Sequence, residues 1–239
     1  MGSSAASRAE LESLLRARKL DVTLTSAAPL WRTPPAHQDP ARCDDAVAAT
    51  GVRTIDEALG GGLCRGQLSE IVGGRSSGRT SVMCGALAQA TARGEFTALI
   101  DPCDRFDPAS AAAGGVDLSR LLWVRDTGDA GRAVKAINLV LQAGGFGLVV
   151  LDLADLPGPA VRGLPFTTWF RLARVIEGSA TVAVLVASEH VARSAAGATI
   201  WMDGTGGSPA IWNGRDSNRA RLLAGVDLRP RVLGSRLYE

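Results

Sequence analysis

From Gly51 onward, short apolar runs alternate with segments of helical periodicity, and this alternation constrains the fold more than any other feature of the chain. Apolar runs with no polar face must be covered on both sides, which makes each one a strand of a parallel sheet with helices packed on its faces. The pattern predicts strands over Gln67–Val72, Phe96–Ile100, Leu121–Val124, Leu148–Asp152, Thr181–Ala187 and Ala198–Met202. Intervening helices are predicted over Thr80–Arg93, Ala130–Ala143 and Thr167–Glu177. The fold class is therefore α/β, a mostly parallel sheet flanked by helices. After Met202 the chain reads as turn-rich short strands, with Asn213-Gly214 as a hairpin turn.

The region before the alternation has a different character. Ser7 to Glu10 spell a capping box, S-R-A-E, in which the serine oxygen and the glutamate satisfy free amides at a helix start. A short helix to about Lys19 follows, with Leu11, Leu14 and Leu15 on one stripe opposite Arg8, Glu12, Arg16 and Lys19. A helix of about three turns is marginal alone, so this stripe is expected to dock on its own core or on a partner. Val22 to Ala49 contains Pro29, Pro34, Pro35 and Pro40 among mixed polar residues, the composition of a linker or extended arm. The organisation expected is an N-terminal helix and Pro-rich arm over residues 1–49 and a core with C-terminal short strands over 50–239.

Composition narrows the function classes. Apolar residues make up 46% and charged residues 21% of the 239, as in ordinary globular domains. No run of about 18 apolar residues offers a membrane span. The start, MGSSAASRAELESLL, resembles an N-myristoylation pattern but reads more simply as a flexible start, and it is no secretory signal, so a cytoplasmic location is expected. Cys43, Cys64, Cys84 and Cys103 form no C-x-x-C pair, and neither a metal site nor a disulfide framework is expected. A net charge of +2 is too small for a strongly basic nucleic-acid binder. Six arginines among the last 25 residues (Arg215, Arg219, Arg221, Arg229, Arg231 and Arg236) make either a basic face or a solvated edge.

One segment carries recognisable chemistry. Gly73 to Thr80, G-G-R-S-S-G-R-T, fits the phosphate-loop spacing G-x-x-x-x-G-K-[ST] at every fixed position except the lysine, which is Arg79. It follows a predicted strand and opens a predicted helix, so its amides and the helix N-terminus face one point where an anion can sit. Gly73, Gly78, Arg79 and Thr80 are the candidate nucleotide residues; a glycine turn that only packs strand against helix is the alternative.

The flanking residues extend the likeness. TIDEALGGGLCRGQLSEIVGGRSSGRTS, ALIDPCDRFDP, GVDLSRLLWV and FGLVVLDLAD resemble, in order, the segments of RecA that surround its phosphate loop, its second strand and its magnesium-associated strand. The resemblance implies a RecA-like core with an N-terminal helical arm, and it puts Asp152 at the magnesium-associated aspartate. It also exposes three departures. Arg79 brings a planar fork where the family has a compact ammonium. Cys103 stands at the catalytic glutamate, and an ordinary thiol is a poor base at neutral pH. Ser188, in AVLVASEH, stands where the family has a glutamine that senses the terminal phosphate. Asp101 and Asp104 flank Cys103 as candidate substitutes for the glutamate. Hydrolysis is expected to be lost, with residual nucleotide or phosphate binding as the most that remains; no cofactor is expected.

The loops matching the DNA-binding loops of RecA, about Leu153–Pro165 and Ser188–Gly197, look reduced. The second offers only His190 and Arg193 as phosphate contacts, with no aromatic platform, so weak or no direct DNA binding is expected. His190 reads as a surface-loop histidine. On the predicted helix Ala130–Ala143, the apolar Val134, Ile137 and Leu141 exceed one stripe and are candidates, with Leu11, Leu14 and Leu15, for a partner interface; cover from the same chain is the alternative. A RecA-like core of this size with a degenerate loop resembles the ImuA family of bacterial damage-induced mutagenesis. That resemblance implies a non-enzymatic factor in SOS-induced translesion synthesis, associated with the nucleoid. Its implied partners are an ImuB-type inactive Y-family polymerase subunit, an error-prone C-family polymerase and RecA itself. The rival classes are a RecA-like DNA-dependent ATPase or recombinase paralogue and a SulA-like cell-division inhibitor.

Overall fold

The computed structural model describes residues 46–192, 197–202, 210–213, 222–226, 228 and 230–233. Its centre is a seven-stranded sheet built from β3 (Leu68–Gly73), β4 (Thr97–Asp101), β5 (Leu121–Arg125), β6 (Leu148–Asp152), β7 (Val182–Ala187), β8 (Thr199–Met202) and β11 (Pro230–Leu233). The order across the sheet is β11-β8-β3-β7-β6-β4-β5. All neighbours are parallel except β11, which pairs antiparallel with β8. Two small ladders stand apart from it: β1 (Val47–Ala48) with β2 (Leu63–Cys64), and β9 (Ala210–Asn213) with β10 (Leu222–Val226). The β1 pair ties residues that the sequence assigned to the arm onto the segment that leads into β3.

The helices are α1 (Arg53–Ala58), α2 (Arg79–Ala92), α3 (Pro108–Ala113), α4 (Ala130–Ala143), α5 (Gly158–Arg162) and α6 (Thr167–Ile176). Alternation along the buried strands divides the core into two layers. Ile71, Leu99, Val150, Val184 and Val186 face α2, whose Val82, Met83 and Leu87 are buried. Ile100, Val149, Leu151, Ala183 and Leu185 face α4 and α6. A run such as VAVLVA in β7 is thus apolar throughout because its odd and even residues serve different layers. Caps set where two helices begin. The Asp107 carboxylate accepts from the amides of Ala109 and Ser110 ahead of α3, and that of Asp129 accepts from the Arg132 amide ahead of α4.

The six predicted strands and three predicted helices all form, with ends displaced by at most one residue. The hairpin is a correction. Asn213 pairs with Leu222, so the connection runs over 214–221 rather than through a two-residue turn at Asn213-Gly214. The amphipathic N-terminal segment with Leu11, Leu14 and Leu15 lies outside the described residues. Among the described residues no helix is long and apolar enough to cross a membrane.

Candidate nucleotide site

The carboxyl ends of β3, β4, β6 and β7 share one end of the sheet, the end at which parallel α/β sheets place ligands. The loop from Gly73 to Gly78 leaves β3 there and enters α2. Its glycines are required by geometry. A Cβ at Gly73 would stand 2.8 Å from Cβ of Met202 in β8, too close for any side chain. Gly78 caps α2 with φ 89°, a left-handed conformation, and Ser76 takes φ 59° in the turn before it.

Arg79 opens α2 and is 7% exposed. Its guanidinium folds back under its own loop, where Nη1 donates to the Gly73 carbonyl at 2.5 Å and Nη2 lies 3.5 Å from Oδ1 of Asp155. Asp155 also pairs with Arg105 at 4.0 Å. Thr80, the next residue, is exposed.

Asp152 ends β6, and its carboxylate accepts from the Ala154 amide at 2.9 Å. Its pKa is pushed up to about 6, first by burial and then by the neighbouring charges of Asp101 and Asp155; the Ala154 amide and Arg79 act in the opposite direction. Asp101 is buried and engaged, with one oxygen accepting from the Phe106 amide at 2.9 Å and from Trp123 Nε1 at 3.3 Å. Asp104 turns away: at φ 54° it forms a two-pronged pair with Arg125, at 2.7 and 2.6 Å. Cys103 sits between them, partly buried, its thiol raised above the ordinary range by burial and by Asp101, Asp155 and Asp152 against the weaker pull of Arg105. At neutral pH that sulfur carries its proton.

The structure thus brings together Gly73, Gly78, Arg79, Asp152 and Cys103, and leaves Thr80 and Ser188 on the surface beside them. Two members of the cluster escaped the sequence reading. Asp155, three residues beyond Asp152, is the counter-charge of Arg79. Cys84 on α2 has its thiol raised by burial and by the charge of Asp152. The D-x-x-D spacing and the turn-plus-one position after Arg79 were the available signals.

One expectation is corrected. Ile137 and Leu141 of α4 are inside the core, packed in one cluster with Trp169 and Leu172 of α6, so their cover comes from this chain; Val134 is half-buried beside them. His190 is exposed on its loop as expected, and its ring lies against the buried carboxylate of Glu70. The first expected DNA-loop counterpart also contains a helix, α5, whose Arg162 pairs with Glu189 at 2.7 Å. Arg193 lies outside the described residues, and among those described no cluster of three or more metal-ligating side chains occurs.

Known proteins share this architecture. The sequence signature of the RecA N-terminal domain matches residues 37–160, over half of the chain. Protein RecA of Nostoc punctiforme is 39% identical over 105 residues, which are 44% of this chain and 29% of that protein. Protein RecA of Crocosphaera subtropica is 36% identical over 115 residues, 48% of this chain and 32% of its own. The chain therefore spans about a third of the length of the curated relatives it matches. The crystal structure of the RadB recombinase superposes with a TM-score of 0.53 at 16% identity, covering 65% of this chain and 82% of that one. At that identity the likeness is one of fold.

Proposed function

The chain belongs to the RecA N-terminal domain family, and from that premise we propose that it is a RecA-like accessory factor that does not turn over ATP. It acts through protein contacts in SOS-induced translesion synthesis, with an ImuB-type inactive polymerase subunit and an error-prone C-family polymerase as partners and RecA as a further contact. The observation that carries this reading is the posture of Arg79. Its guanidinium is bonded to the loop's own Gly73 carbonyl and paired with Asp155 beyond β6, so this cation already has its acceptor and its counter-anion.

These residues do not fit a magnesium nucleotide. Transfer of a terminal phosphoryl group needs a cation aimed at the outer phosphates, a carboxylate that orients water and a hydroxyl beside the metal. Here the cation points inward, a protonated thiol stands at the base position, and the two carboxylates that flank that thiol in sequence are occupied, Asp101 by Phe106 and Trp123 and Asp104 by Arg125.

Purified protein is expected to show no DNA-stimulated ATP turnover and to bind an ImuB-type subunit equally well as wild type and as Arg79→Ala. Measurable turnover would restore the ATPase class. Loss of the complex in a folded Arg79→Ala variant would return a ligand-sensing role to the loop, and binding to the division protein FtsZ instead would move the chain to the SulA-like class.

A further inference from the structure

We propose that Glu70 and His190 form a latch that fixes the crossover from β7 to β8 onto the strand that carries the glycine loop. The sheet order makes the latch necessary. Because β3 lies between β7 and β8 and runs parallel to both, the connection that leaves the carboxyl end of β7 must cross a face of β3 to reach the amino end of β8. Glu70 stands in β3, three residues before Gly73, and is fully buried.

A carboxylate in such a place is costly unless its oxygens are ligated. Oε1 accepts from the amides of Val191 at 3.0 Å and Ala192 at 2.6 Å. Oε2 is buried too, and the group set against it is Nδ1 of His190. One side chain thereby gathers three consecutive residues of the crossover. The backbone completes the hold, since the Glu70 amide donates to the Ala198 carbonyl at 2.8 Å as the chain enters β8.

The adjoining Arg162–Glu189 pair, with side chains 60% and 43% exposed, contributes little against water, so the buried carboxylate does the holding. His190 is the one member open to solvent, its side chain 40% exposed. Displacing that ring leaves Oε2 without its counterpart, and a surface contact that moves the ring loosens the crossover beside the loop. Glu70 and His190 are positioning residues that touch no ligand.

Amide hydrogen exchange on the full chain tests the latch, with Val184 and Val186 of β7 as internal references. His190→Ala is expected to speed exchange at Val191 and Ala192 about tenfold while the β7 amides keep their wild-type rates. Glu70→Ala should exceed that, and Glu70→Gln, which keeps an accepting oxygen, should restore much of the protection. If His190→Ala leaves Val191 and Ala192 unchanged, or accelerates the β7 amides equally, the latch is overturned. Should Glu70→Ala fail to fold, His190→Ala and Glu70→Gln decide the matter.

Discussion

Two segments meet at the carboxyl end of this sheet, and they are held in opposite ways. The glycine loop 73–78 is organised by a cation, Arg79, that bonds its own backbone and pairs with a partly exposed carboxylate. The crossover segment 190–192 is organised by an anion, Glu70, from the centre of the core. The difference lies in what each would lose. A buried carboxylate that accepts from two amides is a structural commitment, because taking it away leaves the buried Ala192 amide and the partly buried Val191 amide without their acceptor. Arg79 is buried as well, but its partner Asp155 is a third exposed, so water can take over that contact. The loop is therefore the adaptable member of the pair and the crossover the rigid one.

The most severe way to break this comparison is Glu70→Ala, which leaves the Val191 and Ala192 amides without an acceptor. It is expected to cost about 3 kcal/mol of stability, read from denaturant unfolding.

Next in size is Asp152→Asn, which bears on the loop side through pH. In the folded chain Asp152 titrates near 6, above the 3.8 of an ordinary aspartate, so the folded state binds this proton more tightly than the unfolded state does. Its contribution is most favourable at low pH and is lost as pH rises from about 4 to 6. Asp152→Asn removes that loss. The variant is expected to gain about 2 kcal/mol over wild type at pH 7 and nothing at pH 4. Unfolding measured at both pH values checks it, and an equal difference at the two would show that Asp152 does not carry the dependence.

How much of this was legible in the sequence follows from the range of the forces involved. β6 and α4 were readable to the residue because periodicity is local and both are bounded by local signals, Asp129 and Gly144 in the case of α4. The helices α1, α3 and α5, of five or six residues, are too short to show a period. The loop glycines were readable because Gly73 and Gly78 answer to backbone geometry. The fate of α4 was not. Val134, Ile137 and Leu141 look like an excess of apolar surface until α6 brings Trp169 and Leu172 across them, and that contact joins residues some thirty positions apart. His190 and Glu70 are separated by far more, and nothing in either neighbourhood announces the other. A glutamate, the one charged residue of the buried strand LSEIVG, was the visible anomaly.

The smallest expected effect concerns the feature that most distinguishes the loop. Arg79→Ala removes a cation that is itself buried but whose partner Asp155 has a side chain 32% exposed, so water can replace much of the pairing. A cost of about 1 kcal/mol is expected at neutral pH, chiefly from the unfilled Gly73 carbonyl. The same substitution deletes one of the two influences that hold Asp152 down, leaving the Ala154 amide alone against burial, Asp101 and Asp155. The Asp152 titration should therefore move above 6, and carboxyl-carbon NMR across pH 4 to 8 would follow it. If the titration stays in place while stability falls, Arg79 supports the loop only through Gly73, and the acidic cluster beneath it stands independently of the cation.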